Sequence, residues 1–103
     1  MKRASSKRSK IELYATVLEV IKRYPEGSRI TKMSYGVGVP IDRLKTILVD
    51  LTSFGLVQTL TDEEEEGIFY TLTPRAFDFL ETYWKMKSYL ETFGTSRTDS
   101  FTF

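Results

Sequence analysis

The sequence predicts a mainly α fold, of α+β class, in which three short helices and a β-hairpin precede one longer helix. Three observations carry this. A capping box opens a stretch with apolar residues at three- and four-residue steps. Two five-residue runs rich in β-branched, aromatic and other apolar residues flank a polar turn, and a Thr-Pro pair opens a long aromatic-rich stretch without breakers. At 103 residues, with 41% apolar, 14% aromatic and 28% charged side chains, the chain has material for one domain with its own core.

The elements follow in order. Ser9-Lys10-Ile11-Glu12 fits a capping box, so a first helix begins there; its apolar positions are Ile11, Tyr14, Ala15, Val17, Leu18 and Ile21, and Tyr24-Pro25-Glu26-Gly27 stops it. A second short helix runs from Ser28 or Arg29 to about Tyr35 with Ile30 and Met33 inward, and Gly36 to Pro40 forms the turn. The third helix starts at Pro40, whose missing N–H suits a first turn. Leu44, Ile47, Leu48 and Leu51 share one stripe, with Arg43, Thr46, Val49, Asp50 and Ser53 opposite and a glycine stop at Gly55. Residues 56–60 and 68–72 read as the strands of a hairpin around a turn at 61–67. Thr73 then caps, and Pro74 opens, a fourth helix reaching about Phe93. The order helix, helix, turn, helix, hairpin, helix is that of a winged helix-turn-helix, whose third helix can enter a major groove about 12 Å wide.

Charge is unevenly spread. Met1 to Lys10 carry Lys2, Arg3, Lys7, Arg8 and Lys10 without an acid, whereas the other 93 residues hold ten basic and fourteen acidic side chains, a net −4 within a chain of net +1. Residues 1–8 are thus expected to be a basic arm that meets a polyanion, the alternative being a solubilising tail. From Ser28 to Val49, Arg29, Lys32, Arg43 and Lys45 face one acid, Asp42. These cations suit phosphates, and Arg43, Lys45 and Thr46 are within reach of base edges; a plain solvated face is the alternative. Thr31 and Ser34 are candidate phosphate donors or plain surface. Tyr35 reads as core, with a phosphate contact through its hydroxyl as the other reading. Asp62 to Glu66 make the hairpin turn acidic, which reads foremost as a solvated loop pointing away from DNA, the alternatives being a loose divalent-cation site or a contact with the basic arm of a neighbouring molecule.

The fourth helix has more large apolar side chains than one face against a small head can cover. Ala76, Leu80, Tyr83, Met86, Leu90 and Phe93 approximate a coiled-coil seam, while Phe77, Trp84 and Phe79 would dock onto the first helix and hairpin. A monomer with a thick aromatic core is the alternative. The expected organisation is therefore an arm (1–8), a winged helix-turn-helix domain (9–73), a dimerisation helix (74–93) and a disordered tail (94–103).

Other classes are disfavoured. The chain has neither cysteine nor histidine, which removes disulfides, Cys- or His-ligated metals and imidazole-based catalysis. No cofactor, small-molecule substrate or enzymatic activity is expected. No apolar run approaches the roughly 18 residues of a membrane helix, and no signal peptide is evident, so the expected address is the cytoplasm.

Lys10-Ile11-Glu12-Leu13-Tyr14, Ile30-Thr31-Lys32-Met33-Ser34-Tyr35, Leu44-x-x-x-Leu48-x-x-Leu51 leading into Phe54-Gly55-Leu56-Val57, and Tyr70-x-Leu72-Thr73 together resemble the crenarchaeal DNA-binding-protein-10a family of small chromosomal winged-helix proteins. The resemblance covers roughly Ser9 to Phe93. It implies a homodimer joined through an antiparallel coiled coil of the last helices, with two heads that bind duplex DNA with little sequence preference. Two features depart from the family: Val39-Pro40 stands where a Ser or Thr cap is common, and the wing turn is acidic. The expected function is nucleoid-associated double-stranded DNA binding. A sequence-specific winged-helix regulator and a winged-helix protein-interaction module are the alternatives.

Overall fold

The computed structural model describes residues 9–62, 64 and 67–93; the arm cations Lys2, Arg3, Lys7 and Arg8 and the tail 94–103, with what the sequence predicts for them, lie outside the described residues. Four helices and one hairpin follow in the expected order: α1 (Lys10–Lys22), α2 (Ile30–Val37), α3 (Ile41–Ser53), β1 (Val57–Asp62), β2 (Gly67–Leu72) and α4 (Pro74–Thr92). This is a winged helix fold.

The helix ends are set locally. Ser9 Oγ accepts from the Glu12 amide at 3.1 Å while the Ser9 amide donates to Glu12 Oε1 at 3.1 Å, which completes the capping box. Gly38, at φ +78°, closes α2 by donating its amide to the Ser34 carbonyl. Pro40 is the cap residue of α3 rather than its first helical residue: its ψ of 149° is extended, and its carbonyl accepts the Leu44 amide at 2.9 Å. α3 ends in a Schellman motif, with Gly55 at φ +78° and the Leu56 and Gly55 amides donating to the Leu51 and Thr52 carbonyls. Thr73 and Pro74 occupy the cap and first position of α4 as expected. The Thr73 hydroxyl, however, donates to the Gly55 carbonyl at 2.6 Å, tying the start of α4 to the end of α3.

α1 is the axis of the core. Leu13, Ala15, Val17, Leu18, Val20 and Ile21 are all buried, nearly all round the helix, as expected of an element with partners on several sides. Leu13 and Val20 fall outside the predicted stripe, and Ile11, inside it, is exposed. α2 contributes Met33 and Val37, the α2–α3 turn Val39, and α3 Leu44, Ile47, Leu48 and Leu51. Tyr35 is not core: two positions beyond Met33 it points away from the buried stripe and is 90% exposed.

β1 and β2 pair antiparallel from Val57↔Leu72 to Asp62↔Gly67. Each strand extends past the predicted bounds, so the connection shortens to residues 63–66. A further pairing had no sequence signal. Ser28, between α1 and α2, bridges to Tyr70, with its amide donating to the Tyr70 carbonyl at 3.0 Å and the Tyr70 amide donating back at 2.8 Å. Gly27 makes this approach possible, because it sits at φ +115° and a Cβ there would lie 2.9 Å from Phe69 Cβ.

α4 corrects the predicted seam. Ala76, Leu80 and Tyr83 belong to the core of the head itself, whereas Met86, Leu90 and Phe93 are exposed. Phe77 and Trp84, expected to dock, are about half exposed, and Phe79 packs partly against the core. The physical reason is the direction of α4 along α1. Trp84 Nε1 donates to Glu19 Oε2 at 2.8 Å and Lys87 Nζ lies 3.9 Å from Glu12 Oε2, so the helices run antiparallel and the 76/80/83 stripe faces α1. Beyond Lys87 the apolar side chains outrun the head.

Gly27→Ala should destabilise the domain by about 2 kcal/mol, through positive-φ strain plus the clash with Phe69. Gly38→Ala, whose Cβ meets nothing within 4 Å, should cost only about 1 kcal/mol of backbone strain. Urea unfolding of the two variants measures the difference, and equal losses would show that the Gly27 contact does not matter.

Candidate nucleic-acid interface

The α3 helix turns Leu44, Ile47, Leu48 and Leu51 inward, so Asp42, Arg43, Lys45, Thr46, Val49, Thr52 and Ser53 are left exposed. Helical geometry divides this surface. Lys45 and Thr52 turn toward the hairpin, Arg43 and Asp50 toward the N-terminal half of α1, and Thr46, Val49 and Ser53 lie between. Asp42, in the first turn of a helix without a side-chain cap, is favourable beside the partial positive charge of the helix N-terminus.

A groove of about 810 Å³ separates α3 from the hairpin. Its walls carry Val49, Ile68 and Tyr70, with Thr52 and Ser53 adding hydroxyls, and Arg29 and Lys45 bring positive charge to its edge. Arg29 is the cap residue of α2, next to the Ser28–Tyr70 pair, and its guanidinium sits 5.0 Å from the centre of the Phe69 ring. It also lines a neighbouring cleft with Lys32 and Tyr35. There Lys32 Nζ lies 4.3 Å from the centre of the Tyr24 ring.

A smaller cleft of about 310 Å³ lies on the other flank of α3, where Lys10 and Arg43 meet Tyr14, Thr46 and Asp50. The Tyr14 hydroxyl donates to Asp50 Oδ2 at 2.8 Å. This bond, with burial and the negative charge of Asp50, raises the Tyr14 phenol above its usual value. Asp50 is therefore not a free acid on the outer face, as the sequence alone suggested, but half-buried and turned toward α1.

Four of the five described cations of the predicted site thus fall on two flanks of α3. Arg29 and Lys45 lie on the hairpin side, while Lys10 and Arg43 lie on the α1 side, with Thr46 between the flanks and lining the α1-side cleft; Lys32 lies on α2, in a cleft to which α3 contributes no residue. Sequence reasoning assigned no role to Val49, Thr52 or Ile68, although all three line the groove. Their signal was an apolar or hydroxyl side chain at a position the helix and strand periodicities turn outward. Among the described residues no group of three or more Asp or Glu side chains is placed to hold a metal ion, and no helix is long and apolar enough to cross a membrane.

A family model described as winged helix-turn-helix matches residues 7–91. No curated protein matches the chain by sequence. Among solved structures, the chain is similar to MepR, a transcription regulator of the Staphylococcus aureus multidrug efflux pump MepA. The TM-score is 0.70 at 13% identity over 82% of this chain, which spans 63% of the MepR chain. The structure of a MepR–DNA complex matches with a TM-score of 0.65 at 14% identity, over 84% of this chain and 62% of that one. Sso10a-2, a DNA-binding protein from Sulfolobus solfataricus, matches with a TM-score of 0.65 at 18% identity, over 93% of this chain and 99% of its own. At these identities the likeness is one of fold.

Tyr14→Phe should cost about 1 kcal/mol, the ordinary worth of one hydrogen bond. Because the folded phenol titrates above its unfolded value, this stabilisation is fully present below about pH 10 and is lost as pH rises through the raised value. Unfolding midpoints from pH 8 to 11 should show wild type converging on the variant at the alkaline end; parallel curves would contradict the linkage.

Proposed function

The chain belongs to the winged helix-turn-helix family, and from that premise we propose that it binds double-stranded DNA through phosphates, with low sequence selectivity, as a homodimeric nucleoid-associated protein of the cytoplasm. One observation carries the reading: cations stand on both flanks of α3, while the strip between them holds Thr46, Val49 and Ser53 and no Arg, Lys, Asn or Gln. Flanking cations meet the two phosphate ridges of a major groove, and the strip between faces base edges with few groups that identify a base. Arg29, Lys32, Lys45 and Arg43 supply the described contacts, and Lys10 with the arm residues Lys2, Arg3, Lys7 and Arg8 extends them. The near-complete mutual coverage with Sso10a-2, a DNA-binding protein, supports DNA binding by a small protein that consists of little more than this fold.

The homodimer is proposed through the distal part of α4. Met86, Tyr89, Leu90 and Phe93 recur at three- and four-residue steps and are exposed, and beyond Lys87 the helix continues past the end of α1, with Tyr89 and Phe93 stacked at 6.2 Å. Two heads on one such helix pair hold two duplexes or two segments of one.

The competing reading, a sequence-specific regulator, is favoured by the likeness to MepR. Excess random duplex separates the two: a regulator resists it, and an architectural protein does not.

Random duplex at low salt should be retarded at micromolar protein, and its absence would leave a protein-interaction module. Each lost phosphate contact shallows the slope of log K against log salt by about 0.9, so Arg43→Ala with Lys45→Ala should lower it by about 2. Deleting residues 1–8 should lower it further. An unchanged slope removes those residues from the mechanism.

Light scattering should give twice the chain mass, and Tyr89→Glu with Phe93→Glu should give one chain mass with the head still folded. A wild-type monomer would end the two-headed model.

A further inference from the structure

Val49 lies outside the hydrophobic core and is not packed against it. It lies on the outward side of α3 and is 67% exposed. A β-branched side chain there loses rotamer freedom that alanine or lysine would keep, so helix formation does not favour it either. Its neighbours one turn away are Lys45, Thr46, Thr52 and Ser53, and across the groove Ile68 of β2 is 54% exposed. The most outward part of the recognition helix is thus apolar and hydroxyl-bearing, with cations only at its sides.

The rest of the sequence narrows what such a surface can read. The chain has no asparagine and a single glutamine, Gln58, so the side chains that pair two-point with adenine are nearly absent. Gln58 is on β1, next to Thr59; Thr59 lines the groove, and alternation turns Gln58 to the other strand face. The guanine readers, Arg and Lys, occupy the flanks. Thr46 and Ser53 carry hydroxyls that bond donors and acceptors of any base alike, so the selective feature left to the centre of α3 is apolar, and its counterpart on a major-groove edge is the methyl group on C5 of a pyrimidine. The side-chain methyls of Val49 and Thr46 match it in size and polarity, and Lys45 and Arg43 beside them match the adjoining phosphates in charge.

We propose that Val49 makes α3 a reader of pyrimidine C5-methyl groups in the major groove: thymine, and by the same contact 5-methylcytosine. This rests on the DNA-binding reading and refines it into a preference of composition rather than of sequence. Removing one methyl from water is worth about fourfold in binding, so the preference is graded and multiplies with the number of methyls covered.

Three duplexes of one sequence test it by fluorescence anisotropy at fixed salt: one with thymine, one with uracil in place of thymine, and the uracil duplex with 5-methylcytosine in place of cytosine. Wild type should bind the thymine duplex about fourfold more tightly, per methyl contacted, than the uracil duplex, and 5-methylcytosine should restore affinity. Val49→Ala, which leaves one methyl at position 49 and the Thr46 methyl beside it, should shrink the ratios toward one while leaving the salt slope unchanged; Val49→Ile should keep them. Because Val49 is exposed, neither variant should unfold below the wild-type temperature. Equal binding of thymine and uracil duplexes by wild type, or a ratio that Val49→Ala leaves unchanged, overturns the inference with DNA binding intact. A gain from thymine alone overturns the 5-methylcytosine half. No binding to any of the three overturns the DNA-binding reading itself.

Discussion

The reciprocal backbone pair between Ser28 and Tyr70 is the constraint on which the interface depends. Both hydrogen bonds lie at a residue that is almost completely buried, where an unpaired backbone group is costly. They join the loop before α2 to the middle of β2, and so fix the hairpin against the helix-turn-helix. Arg29 follows at once as the cap of α2, which places its guanidinium over Phe69 and at the groove edge. From there the eight residues of α2 and the left-handed Gly38 set where α3 begins. The separation of α3 from the hairpin therefore rests on a backbone pairing rather than on long side chains.

Electrostatics act locally against the background of the whole chain. Outside Met1 to Lys10 the chain is net acidic, and the hairpin connection is a run of four glutamates, Glu63 to Glu66. A uniform field would repel DNA. At physiological salt, however, exposed charges more than about 8 Å apart are largely screened, so under the proposed reading only the charges next to a phosphate count. The two acids on α3 itself are accommodated by the fold, Asp50 through the Tyr14 hydroxyl and Asp42 at the helix N-terminus.

Much of the architecture was legible because its causes are local. The capping box, the glycine stop of α3, Thr73-Pro74 and the hairpin each depend on a few consecutive residues with strong conformational preferences. The leucine stripe of α3 was legible because one helix with one buried side has one period. Pro40 was misplaced by a position, since its fixed φ suits both a cap and a first helical residue and only ψ separates them. Ser28 gave no signal, because a bridge of one residue has no periodicity.

The sequence by itself determined the order and approximate span of the elements, the buried side of α3 and the types of side chain facing outward from it. Only the tertiary structure decided which stripe of α4 belongs to the head, that Tyr35 is outside the core, that Asp50 is engaged by Tyr14, and that the cations divide into two flanks. The reason is geometric. A helix with apolar side chains on more than one side specifies how much must be covered, but not which side meets α1. That choice follows from the antiparallel crossing of α1 and α4, which no stretch of consecutive residues encodes.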